Sequence, residues 1–373
     1  MKKFVLIPDS FKGTITSSEV CEIIEEEILK KFSDSEINKI PVADGGEGSV
    51  DAFLDAVGGR KVFVEVAGPY FEKMEAFYGL IDDGKCAVIE MAACSGLPLV
   101  EGRKDPTKTT TYGVGELIVH AAGQGVEKII IGLGGSCTND GGTGCAAALG
   151  VRFLNRKEEE FIPVGGTLSE IKKIDLSGFN PVLKNIEFVT MCDIDNPLYG
   201  KQGAAYIFGP QKGANPEVVD FLDKNLKALA EVVEREIGFS EWDFKGAGAA
   251  GGMGYGMKVF LNSKIQMGIE TVLDIVKFDE IIKDVDYVIT GEGRLDYQSL
   301  RGKVVIGVAR RARKQNVQVI AVVGSLGEGY EGAYDEGVNI IIETNYLHLP
   351  FEELKPRAKA DLRKAVAELI QKL

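Results

Sequence analysis

The sequence predicts an α/β protein in which both chain ends build one doubly wound parallel-sheet domain, interrupted by a second, inserted α/β domain containing a mixed sheet. Three observations lead there. Strand and helix patterns alternate over residues 1–60, strand patterns with little helix between them fill 61–93, and the alternation returns from residue 286. The expected boundaries are 1–60 with 271–373 for the first domain and 61–270 for the insertion. A chain of 373 residues is too long for one ordinary core and suits two.

The elements follow in order. Residues 4–7 are a short apolar run, read as a buried strand. After the loop 8–15, Thr16 and Glu19 form a capping-box pattern, and Val20, Ile23, Ile24 and Ile28 repeat on one helical face. A strand over 37–42 runs into Ala43-Asp44-Gly45-Gly46-Glu47-Gly48, and Val50, Phe53, Leu54 and Val57 mark the helix behind it. Strands are expected at 61–66, 75–81 and 87–91, then at 128–132 and 187–191. Helices are expected near 113–123, 141–150 and 215–236. The closing set is strands at 287–290, 317–323 and 338–342, with helices near 302–314 and 351–372.

Composition excludes several functions. With 56 acidic against 43 basic residues the formal charge is −13, which argues against nucleic acid as the main partner but leaves room for a small anion held by a few cations and backbone N–H groups. The six cysteines are scattered without a C-x-x-C pair, as expected of reduced cytoplasmic thiols packed as small apolar residues. His120 and His348 stand far apart, so neither a His-based zinc site nor a Ser-His-Asp triad is expected. The apolar start breaks at Pro8-Asp9, too early for a signal peptide, and no apolar run nears the roughly 18 residues that span a bilayer. The expectation is a soluble, cytoplasmic protein with small-molecule partners, no nucleic acid and no membrane; a homo-oligomer is compatible with it.

The 46 glycines cluster just after strands, where ligands of open α/β sheets bind. Pro8-Asp9-Ser10-Phe11-Lys12-Gly13 is either an anion seat or a capped turn with a solvated lysine. Asp44 and Glu47, among glycines, suit Mg²⁺ or a hydroxylated substrate, or else a helix start. Gly132-Leu133-Gly134-Gly135-Ser136-Cys137-Thr138-Asn139-Asp140-Gly141-Gly142 is the strongest phosphate cradle, because small residues let backbone N–H groups approach a polyphosphate. Asp193 and Asp195 follow a strand and could share base and metal duty, or simply open an Asp-Asn-Pro turn. Gly291-Glu292-Gly293-Arg294-Leu295-Asp296 sets acid, cation and acid after a buried strand, with Gly302-Lys303 downstream. Gly246-Ala247-Gly248-Ala249-Ala250-Gly251 matches G-x-G-x-x-G but lacks a convincing preceding strand, and neither a Walker A loop nor the protein-kinase motifs occur.

Taken in order, these segments resemble the type I glycerate kinases, from about residue 4 to the C-terminal helix. Thr110-Thr111-Tyr112-Gly113, Phe208-Gly209-Pro210-Gln211-Lys212-Gly213-Ala214 and Gly246 to Gly252 add to the match, while Cys137 stands where the family more often has Ala. The resemblance implies a flavodoxin-like domain interrupted by a second α/β domain, with the active site in the cleft between them. It also implies transfer of the γ-phosphoryl group of ATP, with Mg²⁺, to a hydroxyl of D-glycerate, leaning towards 2-phosphoglycerate. The roles expected on that basis are ATP phosphates on Gly134, Gly135, Ser136, Thr138 and Asn139, and catalysis by Asp193 as base with Lys12 and Arg294 as cations. Asp9, Ser10, Asp44, Glu47 and Glu292 would hold substrate, and Asp195, Asp296 and Asp140 are the Mg²⁺ candidates. A dehydrogenase using the 246–251 glycines and a non-catalytic metabolite sensor are the rival readings.

Overall fold

A computed structural model describes residues 1–42, 46 and 48–373. Asp44 and Glu47 lie outside the described residues. The architecture is α/β, with a wholly parallel sheet and a separate mixed sheet, and the chain divides into two compact units. One unit comprises Met1–Asp44, Asp55–Val57 and Met267–Leu373, and the other Gly45–Leu54 and Gly58–Gln266.

In the first unit, strands β1 (Lys3–Pro8) and β2 (Glu36–Lys39) come from the N-terminal segment. The C-terminal segment supplies three more strands of the same sheet. The second unit contributes β3 (Arg60–Ala67), β4 (Lys73–Ile81), β5 (Cys86–Glu90), β6 (Lys128–Gly132), β7 (Arg152–Leu154), β8 (Glu160–Phe161), β9 (Lys173–Asp175), β10 (Glu187–Met191) and β11 (Lys264–Gln266). The chain then returns to the first sheet with β12 (Tyr287–Leu295), β13 (Gln318–Leu326) and β14 (Ile340–Glu343).

The first sheet runs β2-β1-β12-β13-β14 with every neighbour pair parallel. Counted along the chain this is the flavodoxin-like order 2-1-3-4-5, and it reverses direction between β1 and β12. Strand β1 is buried from Phe4 onward because helices cover both faces of a parallel sheet. The helix Ser17–Lys31 starts at the expected capping box: Glu19 N–H donates to Thr16 Oγ1 at 3.3 Å, and Thr16 N–H to Glu19 Oε2 at 2.9 Å. Its stripe of Val20, Ile24 and Ile28 packs with Phe4, Leu6 and the helix Ala358–Lys372. Strand β2 is shorter than expected, yet Ile40 N–H and Val42 N–H still reach Leu6 O and Pro8 O at 2.8 and 3.2 Å.

The larger sheet runs β11-β10-β6-β5-β4-β3, parallel through β5 and antiparallel for β4 and β3. A small antiparallel sheet, β8-β7-β9, was not expected from the sequence, because strands of two or three residues carry no periodicity to detect. The expected C-terminal helix is broken into Phe351–Leu354 and Ala358–Lys372 around Pro356, as proline requires.

Candidate active site

The parallel strands of both sheets end in polar, glycine-rich junctions. In the second unit, Glu90, Gly132 and Met191 lie in one register row at the C-terminal ends of β5, β6 and β10. From Gly132 the chain enters the loop 133–142. Leu97 N–H donates to Gly135 O at 2.8 Å and Cys137 N–H to Ser95 O at 2.9 Å, so the loop is pinned to residues 95–97 as a short antiparallel bridge. Thr109 Oγ1 donates to Cys137 O at 3.0 Å. Beyond Gly134 and Gly135, the residues Ser136 through Asp140 are buried.

Asp140 is the keystone of this loop. Its Oδ2 accepts from Thr111 N–H at 2.8 Å, Thr111 Oγ1 at 2.9 Å and Gly144 N–H at 3.3 Å, and its Oδ1 from Gly142 N–H at 3.1 Å. Burial raises its pKa, an effect opposed by those four bonds. The segment 246–252 buttresses the same loop. Gly141 N–H donates to Gly251 O at 3.0 Å, and Gly251 has φ +69°. A Cβ at Gly251 would stand 2.0 Å from Thr138 O, so only glycine fits there. No strand precedes this segment among the described residues; a loop leads into the helix Ala249–Leu261. The G-x-G-x-x-G match is therefore a packing feature, and the dehydrogenase reading loses its basis.

Two residues here carried no role in the sequence reading. Lys212 is 2% exposed, and its Nζ donates to Ser136 Oγ at 2.8 Å and to Thr138 O at 2.6 Å. Between Pro210 and Gly213 it looks like an ordinary turn lysine, and only the fold brings it beneath the glycine loop. Glu90 is 4% exposed and accepts from Val50 N–H at 3.2 Å, which anchors the first turn of the helix Ser49–Val57. Burial, and then the like charge of Asp51, raise its pKa. Asp193 and Asp195 are exposed just beyond β10, each with an interaction of its own and both close enough to Cys192 to act on its thiol electrostatically.

The first unit holds the other cluster, where its sheet order reverses. The sequence expectation ended the strand at Thr290; β12 instead continues to Leu295, pairing Glu292 with Val323 and Arg294 with Ser325. That extension corrects the loop reading and has a consequence for the side chains. Alternation puts Glu292 and Arg294 on one face, with Asp296 next in line just past the strand end. Arg294 Nε lies 3.4 Å from Asp296 Oδ2. Asp9 N–H donates to Gly291 O at 2.8 Å, which joins the loop after β1 to β12, and Ser10 N–H donates to Asp9 Oδ1 at 2.6 Å. Phe11 and Ile15 close a tight turn that presents Lys12 and Gly13 at its exposed tip.

Glu292 is 6% exposed, and its Oε1 has no hydrogen-bond partner among the described residues. Its pKa is pushed up to about 7, first by burial and further by Asp9 and Asp296, against the pull of Ser299 and Lys303. Three acidic residues thus share one neighbourhood, but no three of His, Cys, Asp or Glu among the described residues gather closely enough to form a metal ligand set. Of the six free cysteines, five are buried, and burial pushes Cys21, Cys86, Cys94 and Cys137 up to about 12, so none is a thiolate nucleophile at neutral pH.

The glycerate kinase family model matches residues 4–373, nearly the whole chain. The chain belongs to the glycerate kinase family. A glycerate 2-kinase of Escherichia coli K12 is 45% identical over 340 residues, covering 91% of this chain and 89% of its own length. A glycerate kinase of Bacillus subtilis 168 is 44% identical over 352 residues, covering 94% and 92%. The crystal structure of a protein assigned as glycerate kinase 2 from Salmonella typhimurium LT2 superposes with a TM-score of 0.87 at 41% identity, covering 100% of this chain and 98% of that one. Membership makes the chain an enzyme of the phosphotransferase class, which removes the sensor reading. Among the described residues no helix is long and apolar enough to cross a membrane.

Proposed function

We propose that this chain transfers the γ-phosphoryl group of ATP to the 2-hydroxyl of D-glycerate, giving 2-phosphoglycerate and ADP. The family match over residues 4–373 carries the kinase and its acceptor, and the 45% identity to a glycerate 2-kinase supports the 2-hydroxyl. In this reading ATP phosphates lie on Gly134, Gly135, Ser136, Thr138 and Asn139. A braced loop of small residues suits that task, since a polyphosphate must be held without the backbone giving way.

Asp193 takes the proton from the glycerate hydroxyl as it attacks, while Lys12 and Arg294 offset the charge of the carboxylate and of the transferring group. Asp9, Ser10 and Glu292 contact glycerate, with Asp44 and Glu47 assigned to it on sequence alone. Mg²⁺ would neutralise the phosphate oxygens. Mg²⁺ usually keeps several waters and takes one or two carboxylates plus phosphates, and Asp195 and Asp296 are assigned to it on sequence alone. Asp140 stays among the three candidates by sequence, but its oxygens already serve four donors, and we assign it to shaping the loop. The free thiols support a cytoplasmic setting.

Phosphorus NMR of the protein with ATP, Mg²⁺ and D-glycerate is the direct test. A 2-phosphoglycerate resonance is expected; a 3-phosphoglycerate resonance would overturn the regiochemistry, and no glycerate phosphate at all would overturn the function. Asp193→Asn should lower kcat at least about 100-fold with ATP affinity kept. Near-normal turnover in that variant removes Asp193 as the base.

A further inference from the structure

Among the described residues Lys212 is the only buried cation. A buried ammonium is costly unless it is paired, and its two bonded partners, Ser136 Oγ and Thr138 O, are both neutral. Its electrostatic neighbours are Cys137, a protonated thiol, and Asp140, whose oxygens are already taken up by Thr111, Gly142 and Gly144. An ammonium has three N–H donors, and the two bonds leave one over.

A second anomaly sits on the same loop. Asn139 is 0% exposed, and neither its Oδ1 nor its Nδ2 has a hydrogen-bond partner among the described residues. Buried amides are almost always bonded, so an unpartnered one on the same loop that a buried cation holds marks a place built for something else. An oxyanion answers both needs: it neutralises the ammonium and accepts from the amide. A polyphosphate is the oxyanion that a glycine-rich loop at a strand end accommodates.

We propose that Lys212, together with Asn139, forms a buried phosphate-binding pair for the nucleotide, with Lys212 holding the loop through Ser136 and Thr138 and giving its third N–H to a phosphate oxygen. This rests on the reading of residues 134–139 as the nucleotide-phosphate site. Burial lowers the Lys212 pKa to about 8, so the ammonium persists at neutral pH without its full solvation, and a bound phosphate would stabilise it.

The test is calorimetric binding of ATP, adenosine and inorganic tripolyphosphate to the wild type and to Lys212→Met, alongside steady-state kinetics. Lys212→Met should bind ATP and tripolyphosphate at least about tenfold more weakly, the loss expected for a charged hydrogen bond, while adenosine affinity and the D-glycerate KM stay within about twofold. Unchanged tripolyphosphate affinity, or equal losses for adenosine and D-glycerate, overturns the proposal in favour of a merely structural lysine. Should Lys212→Met fail to fold, Asn139→Ala decides. It removes an unpartnered amide, so stability should hold while tripolyphosphate affinity falls about fivefold, and wild-type affinity in that variant overturns the pair. If the wild type itself binds no tripolyphosphate, the nucleotide reading of the loop fails together with the pair; if wild type and variant bind it equally, only the pair does.

Discussion

The loop 133–142 and the junction of β1 with β12 are built from similar residues, yet they treat their polar groups in opposite ways. In the loop, the Asp140 carboxylate is met by four donors, and the main chain is braced on both sides by residues 95–97 and 250–251. At the junction, the Glu292 carboxylate is buried beside two other acids, with one oxygen unbonded among the described residues. The first arrangement fixes geometry at the expense of adaptability. The second stores unfavourable electrostatics that a cationic or hydroxylated partner would relieve. In the function we propose, the first would hold the phosphate donor rigidly and the second would respond to the acceptor.

Breaking the braced side should give the largest effect. Asp140→Ala strands the N–H groups of Thr111, Gly142 and Gly144 in a dry interior and is expected to cost about 3 kcal/mol or more, read as a lower urea midpoint. An unchanged midpoint would mean that the loop holds itself without its carboxylate.

The strained side is tested by pH. Because the folded-state pKa of Glu292 is raised from 4.5 to about 7, the native state binds more protons than the unfolded chain between those values. Its contribution to stability is therefore fully present below pH 4.5 and is lost as pH rises through about 7. At about 1.4 kcal/mol per pH unit, the wild type should lose about 3 kcal/mol over that window relative to Glu292→Gln. Parallel pH profiles for the two proteins would show that Glu292 titrates normally.

The smallest effect lies at the edge of the junction. Thr16→Ala removes the cap of the helix that follows the loop 9–15 and should cost about 1 kcal/mol, visible as a modest fall in Tm. A loss as large as that of Asp140→Ala would mean that the junction, too, depends on a single braced residue, and the contrast between the two sites would dissolve.

Much of this was written locally. The capping box at Thr16 and Glu19, the apolar strand before Pro8, the alternation of strands and helices at both ends and the glycine cluster after Gly132 all act over a few residues, so their pattern is legible without neighbours. The order of the glycine- and aspartate-rich segments was also enough to point to the family, because each encodes a backbone conformation or a chemical group at a fixed place in the chain. What the tertiary structure decided was where distant residues meet and how far water is excluded from them. Strand β12 runs on through Gly291 to Leu295 because β13 offers a partner out to Leu326, and that pairing aligns Glu292 with Arg294. Lys212 lies 76 positions from Ser136 and looks like a surface lysine until the fold buries it. Burial and long-range pairing are properties of the packed chain, and they determine which of its many charged residues have altered chemistry.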